Sequence, residues 1–335
     1  MVQNEINRSE IVFMYDVKFG NPNGDPLDEN RPRIDEATHR NLVSDVRLKR
    51  TIRDYLYNFC GFNGETEKGD IFVRETIYDD GNEKYVRTSN MRAEMFNKNE
   101  HEIIQKCIDI RLFGCTITLG KKQKTQKPKG EEITENSKTG SLTLTGPIQF
   151  KIGTSLHEVD DLHVKGTGAF TSSGKKDQNT FREEYVLPYS FILFEGIINE
   201  NNADKTGLTN KDIQYLIKGM WNGTKMLITR SKYEHNPRVI IKINYKDAYH
   251  IGDLDTLFSL KIHNGKEETK IRGINDFGVN LDSFLKTLEE HSKHIRDVEY
   301  IVDGRVEFLK DGVKTNLKTE LEKFHGKPII FEEEI

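Results

Sequence analysis

The order of elements predicts an α+β chain on the strand–helix–strand–strand–helix–strand plan (βαββαβ) of ferredoxin-like and RRM-like domains. Three observations carry that expectation. Ile11–Lys18 sets Ile11, Phe13, Tyr15 and Val17 against Val12, Met14 and Asp16, the alternation of a strand. An amphipathic helix follows it, and Ser141–Ile152 then returns to strand character. Finally, an apolar strand, a helix and another alternating strand occupy Val186–Asn199, Thr209–Thr229 and Pro237–Tyr245.

Taken in order, the first strand ends in Gly20–Pro26 (GNPNGDP), where two prolines and two glycines in seven residues exclude regular structure. The helix is expected over Leu42–Phe59, with Ser44 or Asp45 as N-cap and Gly61 just past its end. Its Leu48, Ile52, Tyr55, Leu56 and Phe59 cluster on one side at 100° per residue, facing a core. Phe62–Thr88 is polar and glycine-containing, which suits small strands in an insertion, and Asn90–Ile110 reads as a second helix. Lys121–Gly140 has almost no apolar residues and is expected to be a mobile loop. His157–Tyr185, rich in Gly, Ser, Thr and charge between apolar strands, reads as a long protruding hairpin. The later helix has Thr209 or Asn210 at its cap. Pro237–Tyr245 alternates Val239, Ile241, Ile243 and Tyr245 against Arg238, Ile240, Lys242 and Asn244, so basic groups are expected on one face. From Asp247 the tail adds a helix near Leu281–His294, strands around Val298–Leu309, and a closing acidic Glu332–Glu334. The whole of 1–335 reads as one domain enlarged by insertions rather than two domains.

Composition narrows the function classes. No run approaches the 18 or more apolar residues of a spanning helix, so no membrane association is expected. The start carries no apolar stretch after a basic one, so no secretory signal is expected. Cys60, Cys107 and Cys115 are odd in number and form no CxxC pair, which argues against a disulfide framework or a zinc site and suits a reducing cytoplasm. The formal net charge of −4 conceals an uneven distribution. From Asp247 onward the net charge is −6, whereas Arg31–Arg53 carries +4 and Trp221–Lys246 carries +5.

Those two basic segments are the candidate binding residues. Arg47, Lys49, Arg50 and Arg53 fall on the helix arc opposite the apolar one, with Arg31, Arg33 and Arg40 just upstream, an arrangement suited to a polyanion backbone. The second segment offers Trp221, Lys225 and a Thr-Arg-Ser-Lys tetrad containing Arg230 and Lys232, which combines hydroxyl, guanidinium and amine donors for phosphate and sugar. Five lysines in Lys121–Lys129 extend the basic character, although such a loop is ordinarily just solvated. The RRM aromatic signature is absent, so a basic groove gripping a backbone is expected rather than base stacking on the sheet. Enzyme signals are thin: no GxxxxGK[ST], HExxH or GxSxG occurs, and Gly166-Thr-Gly168 lacks the third glycine of a dinucleotide loop. No cofactor and no metal are expected. Asp25 and Asp35 could hold a metal or polarise a ribose hydroxyl, but an Asx turn for Asp25 and a helix-start acid for Asp35 are the stronger readings.

YDVKFGNPNGDP, NRPRID and LVSDVRLKRTIRDYL, followed in order by GPIQF, FREEYVLPYSF and WNGTK–LITRSK–PR, resemble the Cas-seven family, the backbone subunit of type I CRISPR Cascade complexes, in its Csh-type form as in subtype I-B. The resemblance covers Ile11–Phe59 and Ser141–Tyr245 well, and Phe62–Lys138 and the tail weakly. It implies a modified RRM palm, a helical finger region within 62–110, a β-hairpin thumb over 153–186, and a C-terminal α/β extension over 247–335. It also implies a non-catalytic subunit, several copies of which line up along a guide RNA, grip its backbone without base specificity and display the spacer bases to target DNA. Its partners would be the guide RNA, target DNA through the guide, neighbouring copies and the other Cascade subunits. Arg31, Arg33, Ser44, Arg47, Lys49, Arg50, Arg53, Arg230 and Lys232 would meet guide phosphates, and Lys165, Thr167 and Phe170 would sit near a kink in the guide. Type III relatives cut target RNA with an aspartate near the loop after the first strand, where Asn21, Asn23 and Asp25 stand here; the NPNGDP pattern matches the non-cutting type. Two alternatives remain beside this reading, a metal-dependent endoribonuclease using Asp25 or Asp35 and a single-copy RNA-binding regulator.

Overall fold

In the computed structural model the residues described are 6–79, 81, 83–120, 140–167 and 181–331. The expected loop at 121–139, Phe170 and the closing glutamates lie outside them. The chain forms a mixed α/β structure of two compact units. One comprises residues 7–55, 149–199 and 216–335, the other residues 1–6, 56–148 and 200–215, as far as each is described.

The first unit is organised on Ser9–Gly20 (β1), a strand fully buried over most of its length. Asp45–Phe59 (α1) follows. Then come Gly153–Glu158 (β2), Phe181–Ile198 (β3), Asn210–Lys218 (α2), of which only residues 216–218 belong to this unit, His235–Tyr245 (β4), Asp282–Glu290 (α3) and Ile295–Val302 (β5). The sheet runs Gly326–Pro328, β5, β4, β1, β3, β2, Arg40–Val43, Ile34–Asp35. β1 is antiparallel to both neighbours, with Val12 opposite Glu195 on one side and Ile241 on the other. Val12, Met14, Phe191, Leu193, Val239, Ile241, Ile243 and Val298 form a core on one face with Phe277, Phe284 and Leu288 of the tail. The acidic tail is therefore packed onto the sheet through its apolar residues. The hairpin expected over His157–Tyr185 is seen at its base, where Leu162–Thr167 pairs with the first part of β3, Leu162 opposite Val186 and Thr167 opposite Phe181.

α1 starts at Asp45 rather than Leu42, because Leu42 and Val43 belong to the strand Arg40–Val43. Ser44 is the cap: its Oγ accepts the Arg47 N–H at 3.3 Å. Leu48, Ile52, Tyr55 and Leu56 are buried as the pattern predicts, but Phe59, in the last turn, is 59% exposed. α2 is capped by Thr209, whose Oγ1 accepts the Asp212 N–H while Asp212 Oδ2 accepts the Thr209 N–H, a reciprocal capping box. The expected Thr209–Thr229 helix passes at Gly219–Gly223 into a wide π turn. Small residues there permit close approach to α1: a Cβ on Gly219 would stand 2.8 Å from Ile52 Cγ2, and one on Gly223 would stand 3.0 Å from Tyr55 Cβ.

The second unit holds its own core of Phe72, Ala93, Phe96, Ile103, Cys107, Ile110, Ile117 and Leu142. The expected small strands are a hairpin of Ile77–Asp79 with Lys84–Val86. The single helix expected over Asn90–Ile110 is instead broken into Ser89–Glu94 and Glu100–Lys106, with a further short helix at Ile108–Phe113. Asn97 and Lys98 take the left-handed conformation, with φ of 54° and 53°. Asn99 Oδ1 then accepts the His101 and Glu102 N–H groups, so the Asn-Lys-Asn run stops one helix and starts the next. Arg111 makes two hydrogen bonds to the buried Asp212, of 3.0 and 2.8 Å. Cys60, Cys107 and Cys115 form no disulfide with one another.

Candidate nucleic-acid interface

The loop after β1 is more structured than its glycines and prolines predict. Gly24–Asp25 pairs with Arg31–Pro32 in a two-residue ladder. Asn21 donates its N–H to the Ser231 carbonyl at 2.7 Å and its Nδ2 to the Asn30 carbonyl at 2.6 Å, which leaves its buried Oδ1 without a partner among the described residues. Asn23 Oδ1 accepts the Ser44 hydroxyl at 3.1 Å, tying the loop to the start of α1. Asp25 accepts the Leu27 N–H as an Asx turn and pairs with Arg33 at 3.1 Å. Asp35 accepts from the Ala37 N–H and the Thr38 hydroxyl, which holds its carboxyl below the usual range. It ends a short strand, so the expected helix-start role is replaced by a turn. Among the described residues no cluster of three His, Cys, Asp or Glu could hold a metal ion.

α1 divides its cations into two kinds. Lys49 is paired with Asp45 at 2.9 Å and Arg50 with Asp54 at 2.7 Å, both one helical turn apart. Arg53 is half-buried. Arg47 is different: it donates to the Thr51 hydroxyl at 3.1 Å, and among the described residues it forms no ion pair and its buried Nε meets no acceptor. Burial holds its acidity above that of a free guanidinium.

Arg47 lines a water-sized cavity of about 10 Å³ with Tyr15, Pro22, Val43, Leu48, Thr51, Thr224, Leu227 and His235. His235 is buried, edge-on to Tyr15 at 6.1 Å between ring centroids. Among the described residues neither of its ring nitrogens meets a partner in hydrogen-bonding geometry, although the Lys232 backbone is near. Burial first, then the charges of Lys232 and Arg47, push its pKa down to about 3. Lys232 is itself shifted downward by burial and by Arg47. Asn21, Asn23, Ser44, Arg47 and Lys232, from three separate stretches of sequence, thus converge in one place.

Other candidate residues lie apart from that cluster or are engaged within the chain. Arg31 stacks on the Tyr185 ring at 4.2 Å and donates to its hydroxyl at 3.0 Å; Tyr185 in turn stacks on His163 at 4.4 Å. Arg230 pairs with Glu184 at 2.7 Å and Lys165 with Glu183 at 3.2 Å. Thr167 ends its strand. Trp221 is half-buried in the π turn and Lys225 is exposed. The expected basic face of β4 is corrected by the structure. Arg238 and Lys242 are buried, Arg238 bound to Asp16 and Asp303 and Lys242 to Glu299, because β1 and the tail bring carboxylates to them. Tyr15, Thr51, Tyr185 and His235 escaped sequence reasoning; only the His-Asn-Pro-Arg run beside the basic tetrad marked the neighbourhood of His235.

With the geometry established, a model of the family described as CRISPR-associated protein Cas7 matches residues 7–282. The chain belongs to the Cas7 family. A Haloferax volcanii protein described as CRISPR-associated protein Cas7 is 28% identical over 323 residues, 90% of this chain and 88% of that one. A chain from a solved CRISPR RNA-guided surveillance complex, in a pre-nicking state, resembles the fold with a TM-score of 0.53 at 10% identity, covering 96% of both chains. Another surveillance-complex chain gives 0.47 at 12% identity over 88% of both. The Cas7 match takes in every candidate position from Asn21 to His235. No helix among the described residues is long and apolar enough to cross a membrane.

Proposed function

We propose that this Cas7-family chain is the non-catalytic RNA-binding backbone subunit of a type I CRISPR Cascade complex. Copies line up along the guide RNA, grip its backbone without regard to sequence, and leave the spacer bases free to pair with target DNA. Neighbouring copies and the other Cascade subunits are its protein partners. The observation that carries the reading is the meeting of Arg47 and Lys232, two cations without ion pairs among the described residues, with the capping Ser44 and the Asn21–Asn23 loop. Cations held together without carboxylate partners need an anion from outside, and a phosphodiester supplies one.

The order β4-β1-β3-β2, with α1 and α2 in the two crossovers, supports the RRM-like palm. Residues 62–110 are the finger candidate, 153–186 the thumb, with Leu162–Thr167 paired to β3 at its base, and 247–335 an extension whose apolar residues pack on the sheet. Asp25 and Asp35 hold their own turns, which supports a subunit that does not cut.

Native mass measurement on guides of increasing length tests the proposal. The number of copies bound is expected to rise stepwise with RNA length. A single copy at every length would overturn it in favour of a plain RNA-binding regulator.

A further inference from the structure

Beyond the cationic grip, two large aromatic side chains at the end of β1 are left mostly exposed. Counting on from the pair Val17–His235 places Phe19 opposite Tyr233, and the 2.7 Å bond from the Asn21 N–H to the Ser231 carbonyl shows that the count still holds two residues further. Phe19 is 56% exposed and Tyr233 62% exposed. Both strands leave extended geometry at this level, Phe19 at φ 47° and Glu234 at φ 57°. A left-handed Phe is strained, and such strain persists only where the surroundings enforce it. Ile228 and Leu27, also exposed, belong to the segments leading into the same turn and loop. Lys18 is exposed beside Phe19 and Lys232 adjoins Tyr233, with Glu234 the neighbouring acid. Two exposed rings flanking Lys18 and Lys232, the latter within charge reach of Arg47, match a single strand whose phosphates lie on the cations and whose base lies on an aromatic face.

We infer that Phe19 and Tyr233 form a stacking platform for one unpaired base of the bound RNA. This rests on the RNA-binding reading and adds a base contact that is blind to sequence, since every base has a π face. Each copy would then hold a base as well as the backbone, fixing the register at which it sits on the guide.

The test uses the full chain and a single-stranded uridine-containing RNA, with ultraviolet cross-linking read by peptide mass and affinity read across salt. Adducts are expected on Phe19 or Tyr233. Phe19→Gly, which suits the left-handed backbone, and Tyr233→Ser should each lower affinity on the order of ten-fold. The melting temperature of Phe19→Gly should not fall, and the salt slope of both variants should match the parent. Affinity within two-fold of the parent in both variants, with no adduct at either ring while Arg47→Glu abolishes binding, rejects the platform and leaves the backbone grip intact. No RNA binding by the parent rejects both. Oligomers of RNA-free protein that dissociate in these variants would assign the rings to a second copy and overturn the platform.

Discussion

The guanidinium of Arg31 lies over the ring of Tyr185, its carbon 4.2 Å from the centroid, and hydrogen-bonds the phenolic oxygen at 3.0 Å. Tyr185 spends its own proton on Glu29 at 3.0 Å and stacks on His163 at 4.4 Å, directly across the hairpin base. One ring therefore joins the loop after β1 to the ladder of Leu162–Thr167 with β3. The ring face carries both stacking contacts and the hydroxyl only the hydrogen bonds. Tyr185→Leu should accelerate amide exchange in Leu162–Thr167 several-fold, whereas Tyr185→Phe should change it little. Equal exchange in both variants would mean that the stack does not hold the hairpin.

Arg47 and Arg50 are three residues apart on α1, yet their roles separate. Arg50 is satisfied by Asp54, while Arg47 has an unmet donor and no ion pair among the described residues. Arg47→Ala should weaken RNA binding roughly ten-fold and lower the salt slope by about 0.7, the value for one single-strand phosphate contact. Arg50→Ala should do less. The double reversal Lys49→Glu with Arg50→Glu should weaken guides of unrelated spacer sequence to the same degree. A loss confined to particular spacers would contradict backbone recognition.

His235 ties stability to pH. In the fold it stays neutral with a pKa near 3, whereas unfolded it titrates near the ordinary 6.5. Between those values the unfolded chain holds the extra proton, so stability falls on acidification from about pH 6.5, by up to about 1.4 kcal/mol per pH unit for one such group. His157, pushed by burial to about 4, acts in the same direction. Glu195, raised to about 7, acts in the opposite one. Comparison with His235→Phe cancels both. That variant keeps the ring against Tyr15, so denaturant titrations should show a smaller stability loss between pH 7 and pH 5. An identical loss in the two proteins would show that His235 is not buried and neutral.

Asp25 occupies the loop position from which catalysis would be expected, but its carboxylate already serves the Leu27 N–H and Arg33. Complementary RNA added to the guide-bound protein with magnesium or manganese should stay intact. Cleavage that disappears in Asp25→Ala would establish the endoribonuclease reading instead.

Periodicity exposed β1, the apolar face of α1 and β4, because those patterns are local to one element. Caps were legible for the same reason: Ser44 and Thr209 act within three residues. What stayed hidden depends on residues far apart in the chain. Arg238 belonged to an expected basic strand face, but Asp16, 222 positions away, and Asp303 take its charge. His235 looked unremarkable until folding placed it beside Arg47 and Lys232. The helix break at Asn97–Lys98 was local and open to a stricter reading of its two asparagines.

Some of the motif that resembles the family serves packing rather than RNA. Gly219 and Gly223 flank the half-buried Trp221, and Asn222 Nδ2 donates to the Tyr55 hydroxyl at 3.2 Å. A methyl at Gly219 would meet the β-branched Ile52 at 2.8 Å, close to its backbone, where the side chain has little freedom to retreat. Gly219→Ala gains helix propensity of about 1 kcal/mol but must shift α1, and overpacking of this kind costs about 1–3 kcal/mol. Net destabilisation of about 1 kcal/mol is expected. Because α1 carries Arg47, RNA affinity should fall as well. Thermal melts and RNA titrations of the variant read both effects. A variant as stable as the parent, with unchanged RNA affinity, would show that α1 has room to move and that the glycine is not what places Arg47.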